Sequence, residues 1–453
     1  MERISDSIVI IGAGWAGIAT AEALLSKGIN PKRIVLLERT PYPGGRAFSF
    51  VDRETGLALD NGQHVLLGCC DRFIALLKRL DVRSGYRLQP LLDIPVYHDG
   101  QMSRIASKRL VGPLHLLPAL LAYRHLSPSE RASTLAGALA FMRPRADKLD
   151  AVSFAKWLQS TGQSDTAIRL VWDLVGTAIL NGHAGEISAG LAAHSFHIGF
   201  MRGWQPARLG LFTRPLGDLA RDAIDRLVAR GVTIRYSTYV ERVQVAKNKV
   251  CGLSLRDGSF VATEQVVSTV PHDALLRVLP DEWAGKEPFH GIAKLRWSPI
   301  LNVFLNYDRQ VLAEDVFAAT DFDGMFVFNR GRLLPDSGQD GRWLSVSISA
   351  ADRFRDWTHQ EIIRGVQEAI GKACKDARDA KLLAAKVVWQ PKATFLAEPG
   401  TWHLRPQTVT PITGLFLAGD WTRTDWPACL EGAVRSGETA ALALLRSRRA
   451  FLV

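Results

Sequence analysis

The first clear pattern along the chain is an unbroken apolar run, Ile8 to Ile11, that stops at a glycine. Such a run predicts a strand covered on both faces, as in a parallel sheet. Trp15 to Lys27 is rich in small apolar residues and predicts a helix, which Gly28 stops. Pro31 sits in the connection, and Ile34 to Leu37 form a second apolar strand ending at Glu38, so strand, helix and strand make a βαβ unit. From about 70 to 205, Leu and Ala recur at three- and four-residue spacing, which predicts mostly helices. The pattern then changes. A helix over 216–230 leads through Gly231 into short alternating strands at 232–236, 239–246 and 249–255, an Asp257-Gly258 hairpin signal and an apolar strand at 266–270.

Longer strands are predicted at 299–307, 325–329, 343–350 and 385–390, with one helix near 359–373. The run "GLFLAGD" at 414–420 returns to a buried parallel-type strand, and a helix follows over about 429–446. No internal repeat or low-complexity linker interrupts the chain. The simplest assembly is α/β: a discontinuous Rossmann-type nucleotide-binding domain from 1–70, 205–297 and 405–453, with an inserted α+β substrate domain from 71–204 and 298–404.

At 453 residues the chain is long enough for more than one core. Its 56 Lys and Arg against 45 Asp and Glu leave +11, which favours an anionic partner without saying which kind. The basic residues are dispersed rather than interleaved with aromatics, so nucleic acid is a poor expectation. Five scattered cysteines without a C-x-x-C pair indicate neither a disulfide framework nor a zinc site and fit a reduced, cytoplasmic compartment. Residues 1–7 carry no leader pattern, and no apolar run reaches the roughly 18 to 20 residues that span a bilayer, so the chain is expected to be soluble or to lie on a membrane from one side.

The candidate chemistry begins in "IVIIGAGWAGIATAEALLSKG", a G-x-G-x-x-G between strand and helix. Gly12 allows the tight turn, Gly14 lets a pyrophosphate approach backbone amides, and Gly17 lets helix and strand pack closely. Trp15 and Ala16 complete the loop, at the positive end of the helix. Glu38 stands where a carboxylate accepts the hydroxyls of an adenosine ribose. NAD, NADP and FAD all use this unit, and Arg39 is placed to meet a 2′-phosphate. Immediately after it, "ERTPYPGGRAFSF" adds Gly44, Gly45 and Arg46, a second glycine-rich contact with a cation for a pyrophosphate. Near the C-terminus, Gly419 and Asp420 end a strand, with a carboxylate suited to ribityl hydroxyls, and Gly432 and Ala433 open a helix whose N-terminus suits a flavin's pyrimidine end.

In this order the motifs resemble the FAD-dependent amine oxidase and phytoene desaturase superfamily. Two stretches, "GLALDNGQHVLLGCCDRFIALLKRLDV" (56–82) and "LAGDWTRTDWPACLEGAVRSGETAA" (417–441), look like the squalene-associated FAD-dependent desaturases, the hydroxysqualene dehydroxylases. The resemblance implies non-covalent FAD, with Val240 and Val243 as further cofactor contacts. It also implies an apolar C30 isoprenoid substrate, and loss of the hydroxyl of hydroxysqualene driven by an external reductant, NADPH or a reductase. The same scaffold in the opposite redox direction is a carotenoid-type desaturase, and without chemistry it is a prenyl-lipid carrier.

His64, a strand's length beyond Gly45, is the catalytic candidate, with Asp60 and Asn61 organising its turn. His183, Glu186, His194 and His197 are too irregularly spaced for a metal site, so no metal is expected. Trp421 and Trp426 are read as packing residues. Finally, 104–126 combines Arg104, Lys108, Arg109 and Arg124 with a leucine-rich centre from Leu110 to Leu121. The segment is expected to rest on an anionic membrane, at the inner face of the cell membrane, beside the substrate entrance.

Overall fold

In a computed structural model, which describes residues 7–142, 146–334 and 341–450, the two apolar runs become neighbours in a five-stranded parallel sheet. Its order is Thr233–Arg235, Ile34–Leu37, Ile8–Ile11, Gln265–Ser268 and Leu415–Leu417. Ile8 stands opposite Ile34 on one side and Gln265 on the other. Alternation along the strand divides its side chains between two cores. Ile8 and Ile10 pack with the helices Trp15–Ser26, Leu216–Ala229 and Leu430–Ala450. Val9 and Ile11 join the core beneath the antiparallel strands Val240–Ala246 and Lys249–Leu255.

Two expectations need correction. The helix Asp71–Arg79, assigned by sequence to the substrate domain, packs on Leu430–Ala450, and its Phe73, Leu76 and Leu77 enter the core of the parallel sheet. Nor is the stretch from 70 to 205 mostly helix at its start, because Asp93–His98 and Gln101–Ala106 form a hairpin. Asp99 and Gly100, at φ 47° and 69°, make its tight turn. This hairpin closes a seven-stranded sheet in the order Leu382–Phe395, Trp297–Tyr307, Trp343–Ser349, Met325–Asn329, Val316–Ala319, Asp93–His98 and Gln101–Ala106. The helix His359–Ala373 covers one of its faces with Ile362, Val366 and Ile370.

Asn181 ties the helical part to this sheet. It ends the helix Leu174–Leu180 in the left-handed region, at φ 52°. Its Nδ2 donates to the Ser298 carbonyl at 3.1 Å and to Thr394 Oγ1 at 2.8 Å, and its Oδ1 accepts the Ala350 amide at 2.7 Å. One buried side chain thus fixes two strands of the large sheet, and the residue that follows a third, against the helices. Residues 1–6 and 451–453, at the two ends of the expected nucleotide region, lie outside the described residues.

Candidate cofactor site

The carboxyl ends of the parallel strands carry the glycine loops, the usual location of a ligand in an open parallel sheet. Gly12 leaves its strand at φ 104°. A Cβ on Gly17 would lie 2.1 Å from the Gly12 carbonyl oxygen, so only glycine lets the helix begin this close to the turn. The second glycine loop lies directly against the first. The Gly44 amide donates to the Ala13 carbonyl at 3.0 Å, Gly14 and Gly44 form a parallel bridge, and a Cβ on Gly45 would stand 3.2 Å from Gly14 Cα. The result is a cradle of bare backbone at the N-terminus of the helix Trp15–Ser26, whose first-turn amides have no intrahelical acceptor and form the donor set that a pyrophosphate requires. These residues fit a bound dinucleotide.

At one end of the cradle, Glu38 accepts hydrogen bonds from the Ala13 amide at 2.8 Å and from the Thr40 amide and hydroxyl at 2.9 and 2.7 Å. Its carboxylate is thereby held rigidly beside the loop, placed for ribose hydroxyls. The Arg39 side chain is exposed. Trp15 contributes only backbone here, because its indole is buried edge-on against Phe73, with ring centroids 4.9 Å apart. Val243 is fully buried opposite Leu253, and Val240 is nearly so. Their side chains are core, and their strand reaches the cradle through Thr238, whose amide donates to the Glu38 carbonyl at 2.8 Å.

Toward the other end, Arg46 is ion-paired with Asp420, donates to the Ala393 carbonyl at 3.1 Å and lies 5.5 Å from the Trp297 ring centre. Asn61 braces this loop. Its Nδ2 donates to the Arg46 carbonyl at 2.6 Å, and its Oδ1 accepts the Phe48 amide at 3.2 Å. Asp60 Oδ1 accepts the Ser49 hydroxyl at 2.6 Å and the Leu216 amide at 3.0 Å, and burial raises its pKa. Gly419 is tied to the last helix by Ser436 Oγ, which accepts the Gly419 amide at 2.7 Å and donates to the Ala433 carbonyl at 2.6 Å. Gly432 and Ala433 therefore sit beside Asp420 at the N-terminus of a helix of 21 residues, Leu430–Ala450.

His64 reaches the same region on the turn after Asp60 and Asn61. Its Nδ1 lies 2.8 Å from the Gly62 carbonyl, so Nδ1 carries the proton and Nε2 keeps a lone pair. Burial lowers its pKa. A neutral imidazole with a free Nε2 accepts a proton before it can give one.

The other histidines stay apart. His183 Nδ1 is 3.3 Å from Asp173 Oδ2, a contact that raises the histidine pKa, while His197 Nδ1 bonds the Phe141 carbonyl at 2.9 Å. Several site residues are missing from the sequence reading. Asn302, fully buried in the apolar run "ILNVFL", accepts the Gln63 amide at 3.2 Å and locks the His64 turn to the large sheet. A lone polar residue inside an apolar strand was the available signal. Trp297 Nε1 and His272 Nδ1 are buried without partners, their rings 4.2 Å apart beside Arg46. No local pattern marked them.

The comparisons agree with this geometry. The model of the family described as flavin containing amine oxidoreductase matches residues 15–445. The chain belongs to that family. It is an FAD-dependent oxidoreductase with a Rossmann-type cofactor-binding fold. A probable zeta-carotene desaturase of Synechococcus elongatus is 24% identical, over 97% of this chain and 99% of the relative. The 15-cis-phytoene desaturase of Solanum lycopersicum is 24% identical, over 97% of this chain and 77% of the relative. Among solved structures, cyclohexylamine oxidase from Brevibacterium oxydans superposes with a TM-score of 0.71 at 19% identity, covering 98% of this chain and 100% of that one, a likeness of fold.

Proposed function

We propose that this oxidoreductase acts on a linear, apolar C30 isoprenoid and reductively removes the hydroxyl of hydroxysqualene to give squalene. One observation carries the reading: the two stretches that resemble hydroxysqualene dehydroxylases, 56–82 and 417–441, meet in a single site. Asn61 braces Arg46, Arg46 pairs with Asp420, and Glu431 accepts the Arg72 and Phe73 amides at 3.2 and 2.8 Å. Bound in its reduced form, FAD supplies hydride chemistry, and NADPH or a reductase reloads it. The exchange of a C–O for a C–H bond consumes one hydride and one proton and releases water. The chain's share is to position the allylic carbon, exclude bulk water and relay that proton, which His64 takes up at Nε2 before passing it to the departing oxygen.

Carotenoid-type desaturation is the second reading, favoured by the named relatives and by His64 itself. A carbon chain that has lost hydride must next lose a proton, and a neutral imidazole accepts it directly. Anaerobic incubation of the flavin-reduced protein with hydroxysqualene, read by mass spectrometry, tests the first reading by the appearance of squalene. Oxidised protein with phytoene or zeta-carotene, read by new long-wavelength absorbance, tests the second. No product in either direction overturns the isoprenoid assignment.

We also propose contact with an anionic membrane at the cytoplasmic face, with one revision. Arg104 lies on the hairpin strand and holds Asp93 through two bonds of 2.8 and 2.7 Å, so it is no part of an anchor. The exposed apolar residues are Leu110, Val111, Leu114 and Leu121, joined by Leu135, Leu139 and Met142 on and just after the helix Pro128–Ala140. Lys108, Arg109 and Arg124 are exposed, as is Arg202, and Val111 bridges to Gly203. Among the described residues no helix is long and apolar enough to cross a bilayer. Co-sedimentation with liposomes should rise with anionic lipid, fall with salt and drop on Lys108→Glu with Arg109→Glu. A folded double variant that binds vesicles equally well overturns the contact.

A further inference from the structure

Behind the cofactor site lies a second arginine that the proposed chemistry does not use. Arg405 is fully buried. It follows the short helix Thr401–Leu404 and precedes Pro406, in a part of the chain with no glycine motif. Its Nη2 donates to the Asp420 carbonyl at 3.0 Å, to the Thr422 carbonyl and to Thr424 Oγ1 at 3.1 Å. One nitrogen thus gathers three oxygens of the turn that follows the strand Leu415–Leu417. Phe395 covers the guanidinium, 5.0 Å from its ring centre.

A buried guanidinium is costly unless the structure needs it. Here Nε and Nη1 are buried with no partner. A cavity of about 10 Å³ touches Arg405 and is lined also by Asp150, Ser188, Leu191, Ala397, Thr401 and Trp402. That is the space of one water molecule beside polar groups able to hold it. Asp150 Oδ1 accepts the Ser188 hydroxyl at 2.9 Å, and Oδ2 accepts the Trp402 amide at 3.2 Å. Asp150 and Ser188 belong to the helical substrate region, where Ser188 caps the helix Ala189–Phe196.

We propose that Arg405 is a positioning residue for the cofactor. It grips the backbone of the Asp420 turn from behind, while Arg46 meets the Asp420 carboxylate from the front, and one buried water links its remaining N–H groups to Asp150. The angle at which Asp420 is offered to the ribityl chain is then set from inside the substrate region. This inference concerns FAD alone and stands whichever isoprenoid is the substrate.

The test is FAD affinity, measured by flavin fluorescence on apoprotein well below its melting temperature, with the visible circular dichroism of bound flavin as a second readout. Arg405→Lys keeps the charge on a side chain one bond shorter and without the planar fork, so its ammonium stops short of the oxygens that Nη2 reaches. Loss of two charge-assisted bonds predicts roughly a 10- to 100-fold rise in Kd, together with an altered flavin dichroism. A purely structural arginine would lower the melting temperature and leave both readouts unchanged in the folded protein. Thr424→Val removes one acceptor of Arg405, together with a weaker 3.4 Å bond from the Trp426 amide, keeps the test open if Arg405→Lys fails to fold, and is expected to raise Kd a few-fold. Wild-type affinity and dichroism in folded Arg405→Lys, or in Thr424→Val if only that variant folds, overturns the proposal.

Discussion

Gly17→Ala converts the geometry of the cradle into a number. The added Cβ would lie 2.1 Å from the Gly12 carbonyl oxygen and 3.3 Å from Thr269 Oγ1. Ordinary contact begins at 3.4 Å, so the helix Trp15–Ser26 must retreat by about 1.3 Å, the difference of the two distances. It has nowhere to go. On its far side Gly437 of the last helix already packs so closely that a Cβ there would meet the Ala16 carbonyl oxygen at 2.3 Å. Overpacking of this kind costs about 1 to 3 kcal/mol. Whatever part of that movement the helix does make draws its N-terminal amides away from a pyrophosphate held at 2.7 to 3.2 Å hydrogen-bond range, so FAD affinity should fall by about one to two orders of magnitude. Titration of apoprotein with FAD measures the second effect and thermal denaturation the first. A Gly17→Ala protein that binds FAD within twofold of wild type would refute the cradle.

Three further outcomes follow from other parts of the molecule. Asp420→Ala removes the partner of Arg46 and the carboxylate proposed to meet the ribityl hydroxyls, and should lower flavin occupancy with a Kd rise of about 10- to 100-fold while far-ultraviolet dichroism stays native; unchanged occupancy in the purified protein sinks the role given to Asp420. Asn181→Ala deletes three buried hydrogen bonds and leaves alanine at φ 52°, for a loss of about 3 to 5 kcal/mol; urea denaturation showing less than about 1 kcal/mol would contradict the tie. Burial raises the Glu431 pKa from 4.5 to about 7. The folded state therefore holds this proton where the unfolded chain has released it, and stability should decline as pH climbs from 4.5 to about 7. At about 1.4 kcal/mol per pH step the decline approaches about 3 kcal/mol. Glu431→Gln should flatten that slope in denaturation curves recorded across the interval, and an unaltered slope would assign it to other groups.

The cofactor half of this protein was largely legible from its sequence because its signals are local. The run Ile8–Ile11, the glycines at 12, 14 and 17 and the carboxylate of Glu38 each state a backbone requirement within a few residues, and the βαβ unit satisfies them together. The hairpin at 93–106 carries a local cue, Asp99-Gly100, that the helical reading of 70–205 did not use. What only the tertiary structure decided is contact between distant stretches. Asp420 meets Arg46 across 374 residues, Asn302 meets Gln63 across 239 and Asn181 meets Thr394 across 213. Arg405 is separated from the turn it grips by only 15 to 19 positions, yet nothing short of the folded structure shows that its guanidinium is buried against that turn. Periodicity and turn chemistry act through neighbouring backbone and can be read along one dimension. Pairing of buried polar groups is set by which surfaces exclude water together, and that is a property of the folded chain.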